Sequence, residues 1–382
     1  MSVKIDDLLV TAIAHFASDL HLKVGSFPVM RIGGELHPIV EAPKLSPEDT
    51  LDMAFSMMSN RQKQKLKEVS EVDIAYSVKG LGRFRANIFQ QRGTVSIVLR
   101  VIPDQSKTTV QLGLPPVLDR IADERRGLIL VTGATGSGKS TTLAAMIDRI
   151  NTTRSGHIVT IEDPIEFLHT HKNSTIHQRE LHSDTPSFAV ALRAALRQAP
   201  KVILVGEMRD RETIEVALEA AETGHLVLST LHTIDASKTV DRIIGVFPKN
   251  EEKAIRTRIA QSFRFIVSQR LIPLGDGKGR VAAIEILKAT MRTREYIEKG
   301  ESEGKSLIDA MEQGDQEGMQ TFDMVIEKLI RDGVVSIEAA LPYATNQNNL
   351  LLRISDLDGA PPAPAPDQPA RDETSMLDLI EP

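Results

Sequence analysis

Apolar positions in the first hundred residues switch between two periods. Ile5, Leu8, Leu9, Ala12, Ile13 and Phe16 recur at helical spacing and give one apolar face. The stretch DLHLKVGSFPVMRIGGELHPI then reads as short strands broken at Gly25-Ser26 and Gly33-Gly34. A second pair of helices starts at Ser46, where Ser46–Asp49 (Ser-Pro-Glu-Asp) supplies a cap, a proline and two acids. After it, VDIAYSV, GRFRANIFQQ and TVSIVLRVI alternate apolar and polar positions like antiparallel strands with one face on a core. The pattern predicts a mixed α/β unit over residues 1–102. Residues 103–113, PDQSKTTVQLG, follow as a polar, Pro-led linker.

From residue 114 the pattern changes to apolar strand runs alternating with helices, which predicts an α/β domain over 114–355 with a parallel sheet and crossover helices. The strands are LILVTG, HIVTIED, VILVGE and HLVLSTLH, and Ser187–Arg197 and Arg211–Glu222 read as helices. The part from about 250 to 355 reads as helix-rich. Residues 356–382 are Pro/Ala-rich and read as a disordered tail, closed by SMLDLIEP, which is either a docking peptide or an unstructured end.

Composition narrows the class. A chain of 382 residues is long for a single core, and 41% hydrophobic with 26% charged residues is an ordinary globular balance. No run reaches the length of a membrane span, and Asp6 and Asp7 stand where a secretory signal would be basic. Cysteine is absent, which excludes disulfides and cysteine-ligated zinc. A cytoplasmic protein fits. The net charge of −6 and the few aromatics argue against a nucleic-acid partner.

The candidate chemistry starts at GATGSGKS, Gly133–Ser140, which matches G-x-x-x-x-G-K-[ST] between an apolar strand and the helical TTLAAMIDRI. In such a loop backbone N–H groups turn inward and the following helix N-terminus adds positive potential. The candidate ATP contacts are Gly133, Thr135, Gly136, Ser137, Gly138, Lys139, Ser140 and Thr141. Lys139 would reach the β- and γ-phosphates, and Ser140 would hold Mg²⁺.

Hydrolysis also needs an oriented water and compensation of charge, and ligands of open α/β sheets bind at the C-terminal ends of strands. IEDPIEF places Glu162, Asp163 and Glu166 at one such end, either as a functional acidic box or as an acidic surface loop. VILVGEMRD ends a strand in Glu207, but Gly206 stands where an aspartate usually precedes the glutamate, so Glu207 would meet a metal only through water. In TGHLVLSTLHT, His225 and His232 flank a strand. They are either sensors of the γ-phosphate or capping and core residues.

GATGSGKSTT, IEDPIEF, ILVGEMRD and TGHLVLSTLHT, in this order, resemble the secretion ATPases of type II and type IV systems, and within them the PilT and PilU type of pilus retraction ATPase. GRFRANIFQQRG, VDRIIGVFP, SQRLIP, GRVAAIEIL and GMQTFD extend the resemblance from about residue 3 to 355. It implies a homo-hexameric ring of subunits with an N-terminal PAS-like domain and a C-terminal RecA-like ATPase domain. It further implies Glu166 as the catalytic glutamate, Glu207 as the Walker B glutamate, and His225 and His232 as a histidine box. Arg83 and Arg85 match N-terminal arginines that approach the nucleotide. The implied activity is ATP hydrolysis driving an inner-membrane platform protein from its cytoplasmic face, so that pili retract. Assembly ATPases of the family usually carry a four-cysteine zinc site, which this chain lacks. Where retraction ATPases carry an AIRNLIRE-like helix, this chain reads TREYIEKGESEGKSLIDAME. That difference keeps open an accessory, PilU-like role beside a paralogous retraction ATPase.

Overall fold

Phe84, Ala86 and Ile88 alternate with more exposed residues along one strand, and Ile97 and Leu99 do the same on its neighbour. Leaving water contributes roughly 1.5–3 kcal/mol for each large side chain of this kind. A one-residue slip would expose the whole set, so the alternation fixes the register. In the computed structural model, which describes residues 3–103, 106–275 and 279–357, these strands belong to a six-stranded antiparallel sheet. Its strands are β1 (Asp19–Leu22), β2 (Val29–Ile32), β3 (Glu35–Pro38), β4 (Glu71–Val78), β5 (Gly82–Gln91) and β6 (Thr94–Ile102), in the order β3-β2-β1-β6-β5-β4. Leu8, Leu9 and Ala12 of the helix Ile5–Ala14, and Met53, Ala54 and Met57 of the helix Pro47–Met57, join its core. The second helix opens with the capping box that its sequence predicts: Ser46 Oγ accepts from the Asp49 N–H at 3.1 Å, and Asp49 Oδ2 accepts from the Ser46 N–H at 2.9 Å.

A second sheet has seven strands: β7 (Gly127–Thr132), β8 (His157–Glu162), β9 (Thr175–Glu180), β10 (Val202–Val205), β11 (Leu226–Leu231), β12 (Phe263–Pro273) and β13 (Arg280–Lys288). Their order is β13-β12-β7-β11-β10-β8-β9. β7, β10 and β11 are buried along their whole length, as strands covered on both faces must be. The strands read from the sequence are present. Residues 250–355 carry the helices Glu252–Ser262, Met291–Lys299, Leu307–Glu312, Phe322–Arg331 and Gln347–Arg353, in keeping with the helix-rich reading. They also carry the long antiparallel hairpin β12–β13, which that reading did not include. The polar strand β9 was also not anticipated.

The described residues form two compact units. One holds the residues through Leu112, Pro116–Leu128 and Ser140–Thr230, and the other Gly113–Pro115, Ile129–Lys139 and those from Leu231 onward. In the first, β8, β9, β10 and β11 run parallel, with Val205 opposite Ile161 and Ser229, and Glu162 opposite Glu180. The C-terminal ends of these strands therefore share one edge. In the second, Phe322, Ile326 and Ile330 of the helix Phe322–Arg331 pack with Ile272, Ala283 and Leu350. Among the described residues no helix is long and apolar enough to cross a membrane. The reading of SMLDLIEP, and nearly all of the 356–382 tail, lies outside the described residues.

Candidate functional site

Thr132 ends β7, and within six residues the chain must turn into the helix Lys139–Thr153. Gly133 takes a φ of 142° and Gly138 one of 90°, where a side chain is disfavoured. Space imposes the same choice. A Cβ on Gly133 would lie 2.5 Å from both Gln269 O and Ser137 Oγ, and one on Gly138 would lie 2.7 Å from Gln269 Nε2. Gln269, buried in β12, therefore packs against both ends of the loop. Lys139 is also buried, and its ammonium donates to the carbonyls of Gly133 at 2.9 Å and Ala134 at 3.0 Å. Its charge is thus held over the turn. Thr135 Oγ1 lies 3.5 Å from His232 Nδ1 at the loop's outer side. Ser140 and Thr141, half-buried, follow Lys139 in the first helical turn.

The residues of this loop fit a phosphate group. Ser137 Oγ is buried with no hydrogen-bond partner, which costs about 1–3 kcal/mol when nothing satisfies it. An anion in the cradle accepts from such a hydroxyl, from the lysine and from the helix N-terminus together.

At the shared strand edge of the first unit, the carboxylates of the acidic box differ in their surroundings. Glu162 accepts from Thr160 Oγ1 at 2.6 Å, from Gln178 Nε2 at 3.1 Å and from the Glu166 N–H. Desolvation pushes its carboxyl above the ordinary range, against the pull of these donors, and the Glu166 charge adds to the push. Asp163 and Glu166 are exposed, and Asp163–Pro164 is a cis peptide. Gln178 also donates to the Phe167 carbonyl at 2.9 Å and accepts from the His169 N–H at 2.8 Å. One amide on β9 thus pins both arms of the box.

Glu207 is nearly buried, at 13% exposed, with Oε2 2.6 Å from Nε of the exposed Arg209. Gly206 before it donates its N–H to Ile161 O at 2.8 Å and accepts from Thr230 Oγ1 at 2.6 Å. A Cβ there would meet Ile161 O at 3.2 Å and Glu162 Cα at 3.4 Å. A side chain at this position would therefore press on the backbone that enters the acidic box.

His225 and His232 do not come together. One precedes β11 and the other follows it, and seven residues at about 3.3 Å each separate them by roughly 20 Å. The expectation of two histidines near one phosphate is corrected here. His225 Nδ1 donates to Ala220 O at 3.0 Å, and its N–H to the same carbonyl at 3.1 Å, so it closes the end of the helix Arg211–Glu222. Arg83 pairs with Glu180, while the exposed Arg85 lies 3.9 Å from Asp73.

The family described as type II/IV secretion system protein matches residues 2–341. The chain is 45% identical over 345 residues to the type IV pilus retractation ATPase PilT of Pseudomonas aeruginosa, covering 90% of this chain and 99% of the relative. It is 42% identical over 352 residues to the type IV pilus ATPase PilU of the same organism, covering 92% and 91%. The crystal structure of the pilus retraction motor PilT with bound ADP superposes with a TM-score of 0.82 at 46% identity, covering 90% of this chain and 98% of that one. On the match of residues 2–341 and these full-length likenesses, the chain belongs to the type II/IV secretion system protein family.

Proposed function

We propose that this chain is an ATP-hydrolysing motor for type IV pilus retraction. The observation that carries the reading is the Gly133–Lys139 loop, whose glycine cradle, buried ammonium and unsatisfied Ser137 hydroxyl suit a nucleotide's phosphates. Lys139 and the N-terminus of the helix Lys139–Thr153 neutralise the phosphate charge. Gly133, Thr135, Gly136, Ser137 and Gly138 shape the loop, and Ser140 and Thr141 complete it. Ser140 directly, and Glu207 through water, would hold Mg²⁺, and the ion would supply further positive charge to the phosphates. Glu166 accepts the proton of the attacking water, since Glu162 is already committed to Thr160, Gln178 and the backbone. Arg83 supplies positive charge to the developing transition state, Arg85 accompanies it, and His232 senses the nucleotide through Thr135. The chain works as a homo-hexamer, each subunit divided into a 1–102 PAS-like domain, a 103–113 linker and a 114–355 RecA-like domain. The ring sits peripherally at the cytoplasmic face of the inner membrane and drives the platform protein there.

The 42% identity to PilU supports a second reading, an accessory ring component beside another retraction ATPase. Steady-state ATPase activity of the full chain and its Glu166→Gln variant, with oligomeric mass on the same samples, separates the two. Turnover in a hexamer that the variant loses, with binding retained, is the motor's signature. A nucleotide-bound ring without turnover selects the accessory role.

A further inference from the structure

Glu285 on β13 is 2% exposed and stands directly opposite Ser268 of β12. Two chains of contact meet at its carboxylate. On one side, Thr132 Oγ1 donates to Ser268 Oγ at 3.0 Å, and Ser268 bonds in turn to Glu285. Thr132 is the residue immediately before Gly133. On the other side, Glu285 Oε1 accepts from the Ala236 N–H at 2.9 Å, the first residue of the helix Ala236–Ile244. That helix begins just after His232, whose ring lies 3.5 Å from Thr135 of the same loop. One buried carboxylate thus ties the entrance of the nucleotide loop to the segment that leaves the histidine beside it.

An ionised carboxylate only accepts, so it orients the hydroxyls in one direction, from Thr132 to Ser268 to Glu285. A protonated Glu285 can itself donate to Ser268, and the fixed direction of the hydroxyl chain from Thr132 through Ser268 is then lost. We propose that Glu285 is a positioning residue for the nucleotide loop: ionised, it orders the hydroxyls beneath Gly133 and the start of the helix Ala236–Ile244, and its protonation weakens the grip on nucleotide. The proposal rests on the nucleotide-binding reading of that loop.

The surroundings put this change within reach of neutral pH. Burial is the largest influence and, with Asp235 at the helix cap, pushes the carboxyl up. The Ala236 N–H, Arg270 of β12 and Ser268 pull it back, and the group settles at about 7. Arg270 is itself shared with Asp323 of the helix Phe322–Arg331 and lies 3.6 Å above the Phe322 ring.

Binding of a fluorescent ADP analogue, measured from about pH 6 to about pH 8.5 on the full chain, Glu285→Gln and Ser268→Ala, tests this without requiring turnover. The parent's dissociation constant should rise about fivefold or more on the acid side. Glu285→Gln should show the weak, acid-side affinity throughout, with a flat profile. Ser268→Ala cuts the hydroxyl chain but keeps the helix cap, and should lose the same pH dependence even if the first variant folds poorly. Thermal melts check folding, and Glu285→Gln should gain stability at alkaline pH. The sign follows from a folded pKa raised above the unfolded value: this group's contribution is present below about 4.5 and lost as pH rises through about 7. A parent that binds no nucleotide at any pH refutes the nucleotide reading itself. A parent that binds, with variants whose profiles superimpose on it, overturns the positioning role alone.

Discussion

Arg83 on β5 and Glu180 at the end of β9 form an ion pair withdrawn from water, with side chains 21% and 11% exposed. Arg83 Nε is buried with no partner, so the guanidinium is only partly satisfied. Removing one member of a buried pair leaves the other charge uncompensated, and partial exposure reduces that cost to about 1–3 kcal/mol. Arg83→Gln, Glu180→Gln and the double variant should show a coupling energy of about 1 kcal/mol or more in urea unfolding. If Arg83 also serves the nucleotide, Arg83→Gln slows turnover more than Glu180→Gln does. Additive losses of stability would show that the pair is decoration, and equal kinetic losses would confine Arg83 to structure.

Gly206 invites a repair that the packing resists. An aspartate there would give the usual Walker B pair with Glu207, yet its Cβ would press on Ile161 O at 3.2 Å. Overpacking of this kind costs about 1–3 kcal/mol. Gly206→Asp should therefore lower the melting temperature by several degrees, with Gly206→Ala intermediate, and leave the Mg²⁺ dependence of turnover no tighter. An undiminished melting temperature with tighter Mg²⁺ dependence would mean that the backbone yields freely.

How much of this was legible in advance depends on the range of the interaction. The strands LILV, HIVTI and VILV declare themselves by apolar runs, and the phosphate loop by its glycine and lysine spacing between a strand and a helix. β12 is buried almost continuously, so it offers no alternation to set it apart from a buried helix. β9, TIHQRE, has hardly any apolar signal, although Gln178 and Glu180 on it organise the acidic box and hold Arg83. Glu180 is 97 residues from Arg83 in sequence, and Thr132 is 136 from Ser268. Local periodicity carries no trace of such pairings. For His225 the sequence left two readings open, a phosphate sensor or a capping residue, and its contacts with the Ala220 carbonyl fit the capping one, a choice that flanking a strand alone does not make.

The histidines should accordingly separate by experiment. His225→Ala removes a closing hydrogen bond from the helix Arg211–Glu222 and should cost about 0.5–1.5 kcal/mol of stability. It should leave the Michaelis constant for ATP near the parent's value. His232→Ala, next to Thr135, should change nucleotide affinity or turnover with little effect on the melt. A kinetic defect in a fully stable His225→Ala protein would assign that residue a role that its contacts do not suggest.

Acid stability offers a last test, at His169 in the segment that follows the acidic box. Burial is the main influence on its imidazole and pushes it down to about 4, with Asp148 opposing and Lys172 assisting. A depressed folded pKa means stability that is present above the unfolded value of about 6.5 and is lost as pH falls toward the folded value. By pH 5 the loss is about 2 kcal/mol for a fully buried ring, and less for this partly exposed one. Glu162 and Glu285 work in the opposite direction, because their raised carboxyls make the fold more favourable as they protonate. The parent's own acid profile therefore mixes opposing slopes, and only a difference isolates His169. Urea unfolding of the parent and His169→Gln at pH 7 and pH 5 supplies that difference. The parent should lose about 1–2 kcal/mol relative to the variant between the two conditions. Parallel slopes would mean that the imidazole is protonated in the folded chain at pH 5 and that its burial does not exclude the charge.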